Sequence, residues 1–356
     1  MLKSRVEKIK EFLNQDQAAI ITSDANRLYF TGFTSSAGAV VITPRKAVFF
    51  IDFRYFEKAK STVRHIDTVL TSSLYKQISE LLHNDGIKEI LIEADALTVS
   101  GMARLKKALP DYSISSDASL SRKITKLRYI KSALELENIK NAQLLTDKTF
   151  SYILDRIAKG RTEKEIMLDM EFFIRKNGRE GVAFDFIVVS GKNSSLPHGV
   201  PTDKAIEKGD FITMDFGAVV NGYRSDMTRT VALNFVTEEQ EKVYNTVLRA
   251  QLESLKAIKK GAVCCEVDRI ARDIIASAGY GDCFGHGLGH SVGLEIHESP
   301  ALNTRDTTPL ESGMIMTVEP GIYLENKFGV RIEDMVYITN DGHINLTAAK
   351  KDLIII

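Results

Sequence analysis

Four acidic residues interrupt stretches of this chain that are otherwise apolar and β-branched. They are Asp215 in Thr-Met-Asp-Phe-Gly, Asp226 in Ser-Asp-Met-Thr, Glu319 in Thr-Val-Glu-Pro-Gly and Glu333 in Val-Arg-Ile-Glu-Asp. Segments of this composition form strands with at least one buried face. A carboxylate left there without a partner costs several kcal/mol by the order-of-magnitude price of burying a charge, so each needs a cation or a proton. Taken singly, each reads as a strand ion pair. Taken together with the imidazole of His290, they form a ligand set for two divalent cations about 3.5–4 Å apart, the spacing at which one hydroxide bridges both. Asp226 follows Asp215 by eleven residues, beyond an Asn221-Gly222 turn. A hairpin would bring the two carboxylates face to face.

The composition, 44% hydrophobic and 26% charged, is that of an ordinary soluble protein. With 356 residues it suits two domains, each able to build a core. Its 47 basic and 47 acidic side chains cancel, which leaves no long-range field to gather nucleic acid or an anionic membrane. The N-terminal stretch from Met1 to Asn14 is charged throughout and lacks the apolar core of a signal peptide, and no later stretch has the length of a membrane span. The expected location is cytoplasmic. The three cysteines include an adjacent pair, Cys264 and Cys265, a set too sparse for a disulfide framework.

Two patterns divide the chain. From Ala18 to about Ser115, short apolar runs (Ala18–Thr22, Ala39–Thr43, Ala47–Ile51, Glu89–Ile92) alternate with amphipathic ones (Phe56–Ser61, Tyr75–His83, Val99–Leu109). That rhythm predicts an α/β domain over residues 1–125. No glycine-rich phosphate loop follows its strands, so a capping or dimerisation role is expected for it. The serine-rich and then basic stretch Ser116–Lys131 reads as an exposed connection. Residues 126–356 then carry helical patterns at Ala133–Ala158, Thr162–Asn177, Glu238–Lys259 and Cys264–Ala278. The second opens with a Thr162/Glu165 capping box and the fourth stops at Gly279. Strands are expected at Val188–Ser190, Phe211–Val219, Thr228–Asn234, Met314–Val318 and Val330–Thr339, forming a mixed sheet flanked by those helices.

The segment Gly285-His286-Gly287-Leu288-Gly289-His290 admits three readings. As a phosphate loop it lacks the surrounding strand-turn-helix unit. As a zinc-binding helix it has two histidines four residues apart but no glutamate after the first, and its three glycines disfavour helix. As a flexible loop it lets backbone pass close to metal and substrate, with His290 a ligand and His286 on the pocket wall.

Several motifs are together specific enough to identify a family. They are Leu196-Pro197-His198-Gly199, Met214-Asp215-Phe216-Gly217, Ser225-Asp226-Met227-Thr228-Arg229-Thr230, Gly285–His290, Ile296-His297-Glu298, Thr317–Gly321 and Val330–Asp334; the Asn26–Phe33 segment and the linker Leu127–Glu137 also fit. The chain resembles the pita-bread metallopeptidases, in the branch of prolidase and aminopeptidase P. The resemblance implies an N-terminal creatinase-like α/β domain before a catalytic pita-bread domain with a mixed, curved sheet. It implies Asp215 on one metal, Asp226 and Glu333 bridging both, and His290 with Glu319 completing the other.

By the same resemblance a bridging hydroxide attacks the carbonyl of an Xaa-Pro bond and Glu319 shuttles its proton to the leaving nitrogen. His198, His286 and His297 position substrate or stabilise the oxyanion, and Arg331 orients carboxylates and substrate. Manganese is the expected metal, with cobalt or zinc as substitutes, and a homodimer the expected assembly. Some prolidases carry a basic residue just after the His-Glu pair to grip a dipeptide's carboxylate, whereas Ser299-Pro300-Ala301-Leu302 follows here and Arg305 is the nearest cation. That departure weighs against a dipeptidase, but the modest length and compact N-terminal half resemble bacterial Xaa-Pro dipeptidases, so dipeptidase is the first expectation and aminopeptidase P the second. Methionine aminopeptidase and a metal-free binding module or amidinohydrolase of the same fold rank below them.

Overall fold

The computed structural model describes residues 2–178 and 180–356. The chain forms two compact units, Met1–Arg128 and Tyr129–Ile356. The expected boundary at 125/126 lies inside a helix that ends the first of them.

In the first unit a six-stranded sheet runs in the order β4-β3-β2-β1-β5-β6. Its strands are β1 (Gln17–Ile21), β2 (Ala39–Ile42), β3 (Ala47–Ile51), β4 (Asp67–Leu70), β5 (Glu89–Ile92) and β6 (Ser113–Ser115). The β1–β2 and β2–β3 pairs are antiparallel, and the outer pairs are parallel. The helices are α1 (Leu2–Lys10), α2 (Asp24–Thr31), α3 (Phe53–Thr62), α4 (Leu74–Asn84), α5 (Val99–Ala108) and α6 (Ser119–Tyr129). Ile78, Leu82, Leu105 and Leu109 pack on Ile20, Val41, Ile90 and Ile92 to make the core. The Ser116–Lys131 stretch is not the exposed connection its composition suggests. It forms α6 and buries Leu120 and Ile124, and Lys131 beyond it is only 4% exposed. Leu120 and Ile124 recur at helical spacing among the basic residues and supply the buried face that the charge of the segment masks.

The second unit places two helices before each of two antiparallel sheets. Helices α7 (Ala133–Leu154) and α8 (Glu163–Asn177) precede a sheet of β7 (Ile187–Ser190), β8 (Phe211–Phe216) and β11 (Met227–Ala232), in the order β11-β8-β7. Between β8 and β11 lies a ribbon of β9 (Val219–Val220) and β10 (Tyr223–Arg224). Helices α9 (Glu238–Ala257) and α10 (Cys264–Ser277) precede a five-stranded sheet in the order β13-β12-β14-β17-β18. It is built from β12 (Gly289–Ser291), β13 (Glu298–Leu302), β14 (Ile315–Val318), β17 (Asp334–Ile338) and β18 (His343–Asn345), with a ribbon of β15 (Gly321–Leu324) and β16 (Phe328–Arg331) between β14 and β17. Capping boxes at Ser132/Glu135, Thr162/Glu165 and Thr237/Gln240 start α7, α8 and α9, each satisfying backbone donors that the first turn leaves free.

Strand alternation decides which side chains face the helices and which face the opposite way. In β8, Ile212, Met214 and Phe216 pack against Ile166, Met170 and Ile174 of α8, so Phe211, Thr213 and Asp215 point away from that core. Met316 and Val318 of β14, with Val330 and Ile332, join Val243, Val247 and Ala271 in the second core. Thr317, Glu319, Arg331 and Glu333 thereby take the other face. The Val330–Thr339 stretch, expected as one strand, breaks at Ile332–Glu333: Arg331 pairs with Gly321 and Asp334 with Val318, in different sheets. The expected Phe211–Val219 strand likewise ends at Phe216, where Gly217 begins the turn into the ribbon. A side chain at Gly217 would lie 1.9 Å from the Ser225 carbonyl oxygen, so only glycine permits this close return.

Candidate metal centre

Asp215 and Asp226 meet across β8 and β11, though not as direct partners. Asp215 pairs with Thr228, and Asp226 lies two residues before Thr228, a diagonal position on the same face. The tight turn needed for this return is made at Asn221 and Gly222, with φ of 51° and 79°, the left-handed pair of a type I′ hairpin. His290 comes from β12. Gly289 beside it lies so near β14 that a Cβ would sit 2.1 Å from the Thr317 carbonyl oxygen. Glu319 follows β14 and Glu333 sits in the break between β16 and β17.

These five side chains converge. One ligand atom each from Asp226, His290 and Glu333 lie within 4.8 Å of one another. His290 Nε2 is 3.3 Å from Glu319 Oε1 and 3.6 Å from Asp226 Oδ2. Arg331 donates to Asp215 Oδ2 at 2.7 Å. Thr228 donates to Glu333 Oε2 at 2.8 Å, and Thr317 to Glu319 Oε1 at 3.2 Å. Asp215 Oδ1 and Glu333 Oε1 are buried with no hydrogen-bond partner. Two orphaned carboxylate oxygens facing a cluster of four acids and an imidazole are what a divalent cation satisfies, and hard oxygen donors with one nitrogen suit such ions. The residues present therefore fit the metals.

The electrostatics point the same way. Burial, then Glu333 and Asp215, pushes the Asp226 carboxyl well above its usual range. Burial, then Glu319 and Asp215, does the same to Glu333. Burial also raises Asp215, with Arg331 offsetting part of the rise. Burial favours the neutral form of Glu319, but the hydrogen bond and charge of His290 outweigh it and hold Glu319 at about 2. Burial opposes protonation of His290, and its contacts with Glu319 reverse that and raise it. Acids crowded so closely disfavour one another's charge, a penalty that divalent cations held between them would relieve.

The centre opens into a cleft of about 1040 Å³ within the second unit. His198, His286 and His297 line it, with Phe184, Phe186 and Val200 on the apolar side. His297 sets its ring 4.5 Å from that of His290, edge to face, and burial, then His290, lowers its pKa. Burial also lowers His286. His286 Nε2 lies 3.0 Å from the Tyr323 hydroxyl, which accepts from Arg331 at 2.8 Å.

Sequence reasoning missed Thr228, Thr317 and Tyr323. The two threonines carried a usable signal, since Asp226-x-Thr228 and Thr317-x-Glu319 have the two-residue spacing that places both members on one strand face. Tyr323 carried none, because its place beside Arg331 depends on the β15–β16 ribbon.

The pattern of metallopeptidase family M24 matches residues 137–340, and that of the Creatinase/Prolidase N-terminal domain matches residues 5–130. The Xaa-Pro dipeptidase of Pyrococcus horikoshii is 37% identical over 99% of each chain. The structure of an Xaa-Pro dipeptidase from Bacillus anthracis superposes with a TM-score of 0.96 at 39% identity, over 100% of both chains. That of an X-Pro aminopeptidase from Thermotoga maritima does so at 0.91 and 35% identity, covering 98% of this chain and 100% of the other. Carboxylates and imidazole gathered at the centre of the matched region, with likeness over the full length, show that this chain belongs to metallopeptidase family M24.

Proposed function

We propose that the chain hydrolyses the bond between an N-terminal residue and a following proline, with Xaa-Pro dipeptides as first substrate. The observation that carries this reading is the gathering of four carboxylates and His290 in the lining of the histidine-bearing cleft, in a chain similar from end to end to Xaa-Pro dipeptidases. Asp215 would serve one metal, Asp226 and Glu333 both, and His290 with Glu319 the other. Once bound, the pair of cations supplies Lewis acidity and an activated water at neutral pH.

The protein's own groups do the rest. Glu319, ionised and beside His290, takes a proton from the attacking water and passes it to the proline nitrogen as the bond breaks. His198 and His297 at the cleft wall orient the substrate and donate to the carbonyl oxygen as charge develops there. Arg331 and Tyr323 fix Asp215 and His286 in place. Manganese is the proposed metal, cytoplasm the location and a homodimer the assembly, with the first unit as its capping or dimerisation part.

A second reading, aminopeptidase P, has a specific observation behind it. A cleft of about 1040 Å³ is at the upper end for ligand sites, with room for more than two residues, and Arg305 near the His-Glu pair is exposed. Stripping the protein with chelator, restoring manganese and comparing a dipeptide ending in proline with a tripeptide having proline second separates the two. Cleavage confined to the dipeptide supports the first reading. Preference for the tripeptide supports the second, and inactivity on both would overturn the Xaa-Pro assignment.

A further inference from the structure

Lys131 and Glu298 form an ion pair at 3.0 Å with side chains only 2% and 6% exposed. Neither has a part in the mechanism above. Lys131 Nζ also lies 3.4 Å from Ser291 Oγ, and the Lys131 backbone N–H is anchored to the Gly313 carbonyl at 2.8 Å. Ser291 and Glu298 are register partners where β12 meets β13. The ammonium therefore closes the end of that ladder. The register shifts between His290 and Ser291, and such a bulge re-aims the side chains beside it. His290 and His297 are the residues immediately preceding Ser291 and Glu298, so tying those two to Lys131 fixes the backbone that carries both imidazoles, whose rings meet at 4.5 Å.

We infer that Lys131 and Glu298 are positioning residues which set the His297 ring against the metal centre. Burying two charges is a poor route to stability, since a well-packed neutral pair does as well or better. What the pair supplies is a fixed geometry for the loop between Ser291 and Glu298. The inference rests on the role proposed for His297, so His297→Ala is measured alongside.

The test compares Lys131→Met, Glu298→Gln, their double variant and Lys131→Arg by thermal melting, manganese calorimetry and steady-state kinetics on the preferred Xaa-Pro peptide. Each single neutralisation is expected to lower both Tm and kcat. The double variant leaves no full charge at either position and is expected to recover Tm and wild-type manganese binding. Its kcat should remain down by about 100-fold, the cost of a misplacement near 1 Å, with KM little changed, and Lys131→Arg should recover part of the rate.

A double variant whose kcat returns along with its Tm would show a purely structural pair and overturn the inference. Loss of manganese binding in that variant would also overturn it, by placing the pair's effect on the ligands. If His297→Ala is itself fully active, the reading of His297 fails. If His297→Ala is impaired while both single neutralisations keep wild-type kcat, the positioning inference alone fails.

Discussion

Thr228 sits opposite Asp215 in the β8–β11 ladder and donates its hydroxyl to Glu333 at 2.8 Å, tying one sheet to the carboxylate carried by the other. The same oxygen accepts from Arg331 Nε at 3.0 Å, so one threonine hydroxyl orders Glu333 and Arg331 directly, and Arg331 in turn holds Asp215. Groups that orient metal ligands typically change affinity by about 10–100-fold when removed. Thr228→Val should weaken manganese binding by that factor while Thr228→Ser stays near wild type, as read by titration calorimetry. Equal affinity in the valine variant would remove Thr228 from the account.

Stability of the metal-free protein should fall as pH rises above about 6.5, where the opposing contributions of His286 and His297, whose pKa values burial lowers, are already complete. Asp226 and Glu333 have folded-state pKa values above their unfolded ones, so in this window the native state binds more protons than the unfolded chain and stability declines with pH. His290, raised by Glu319, has the same sign, since its contribution is lost as pH climbs through its folded pKa. Glu319, held at about 2, contributes stability that is present above its unfolded pKa and disappears only toward acid. Bound metal removes the penalty on the acids, and a ligand at 100 times its Kd adds about 2.7 kcal/mol. Melting curves with and without manganese across this range should diverge as pH rises; parallel curves would contradict the electrostatic picture.

The same crowding predicts opposite effects of Asp226→Asn on activity and on apo stability. The amide cannot serve as an anionic ligand, so turnover should be abolished. It also removes one of the acids that burial and mutual repulsion disfavour, so the metal-free variant should melt at or above the metal-free wild type at pH 8. A lower Tm together with retained activity would reverse both expectations.

At Gly289 a methyl group would run into the Thr317 carbonyl at 2.1 Å, backbone that a side-chain shift cannot clear. Overpacking of this kind costs about 1–3 kcal/mol or more. Gly289→Ala should lower the denaturation midpoint by a corresponding amount and displace His290, which lowers metal affinity as well. An alanine variant with unchanged stability would mean that β12 and β14 are less closely apposed than described.

Much of this centre was legible in the sequence because strand alternation is local. Once Ile212, Met214 and Phe216 are assigned to the core, Asp215 must face elsewhere, and Val330 and Ile332 do the same for Arg331 and Glu333. What stayed hidden depended on contacts distant in sequence. Lys131 reads in the sequence as one more solvated cation, and only the fold buries it beside Glu298. The break between Arg331 and Asp334 is set by two different strand partners, which an unbroken apolar run does not disclose. The recurrence of two helices before each sheet was equally silent, because it is a repetition of element order and not of residues.

The central claim, that Asp215, Asp226, His290, Glu319 and Glu333 hold two cations, is tested most directly by counting them. The stripped wild-type protein should take up two manganese ions per chain in a calorimetric titration, and Asp226→Asn should lose at least one. A wild-type stoichiometry of zero, or two ions still bound tightly by the Asp226→Asn variant, would contradict the account.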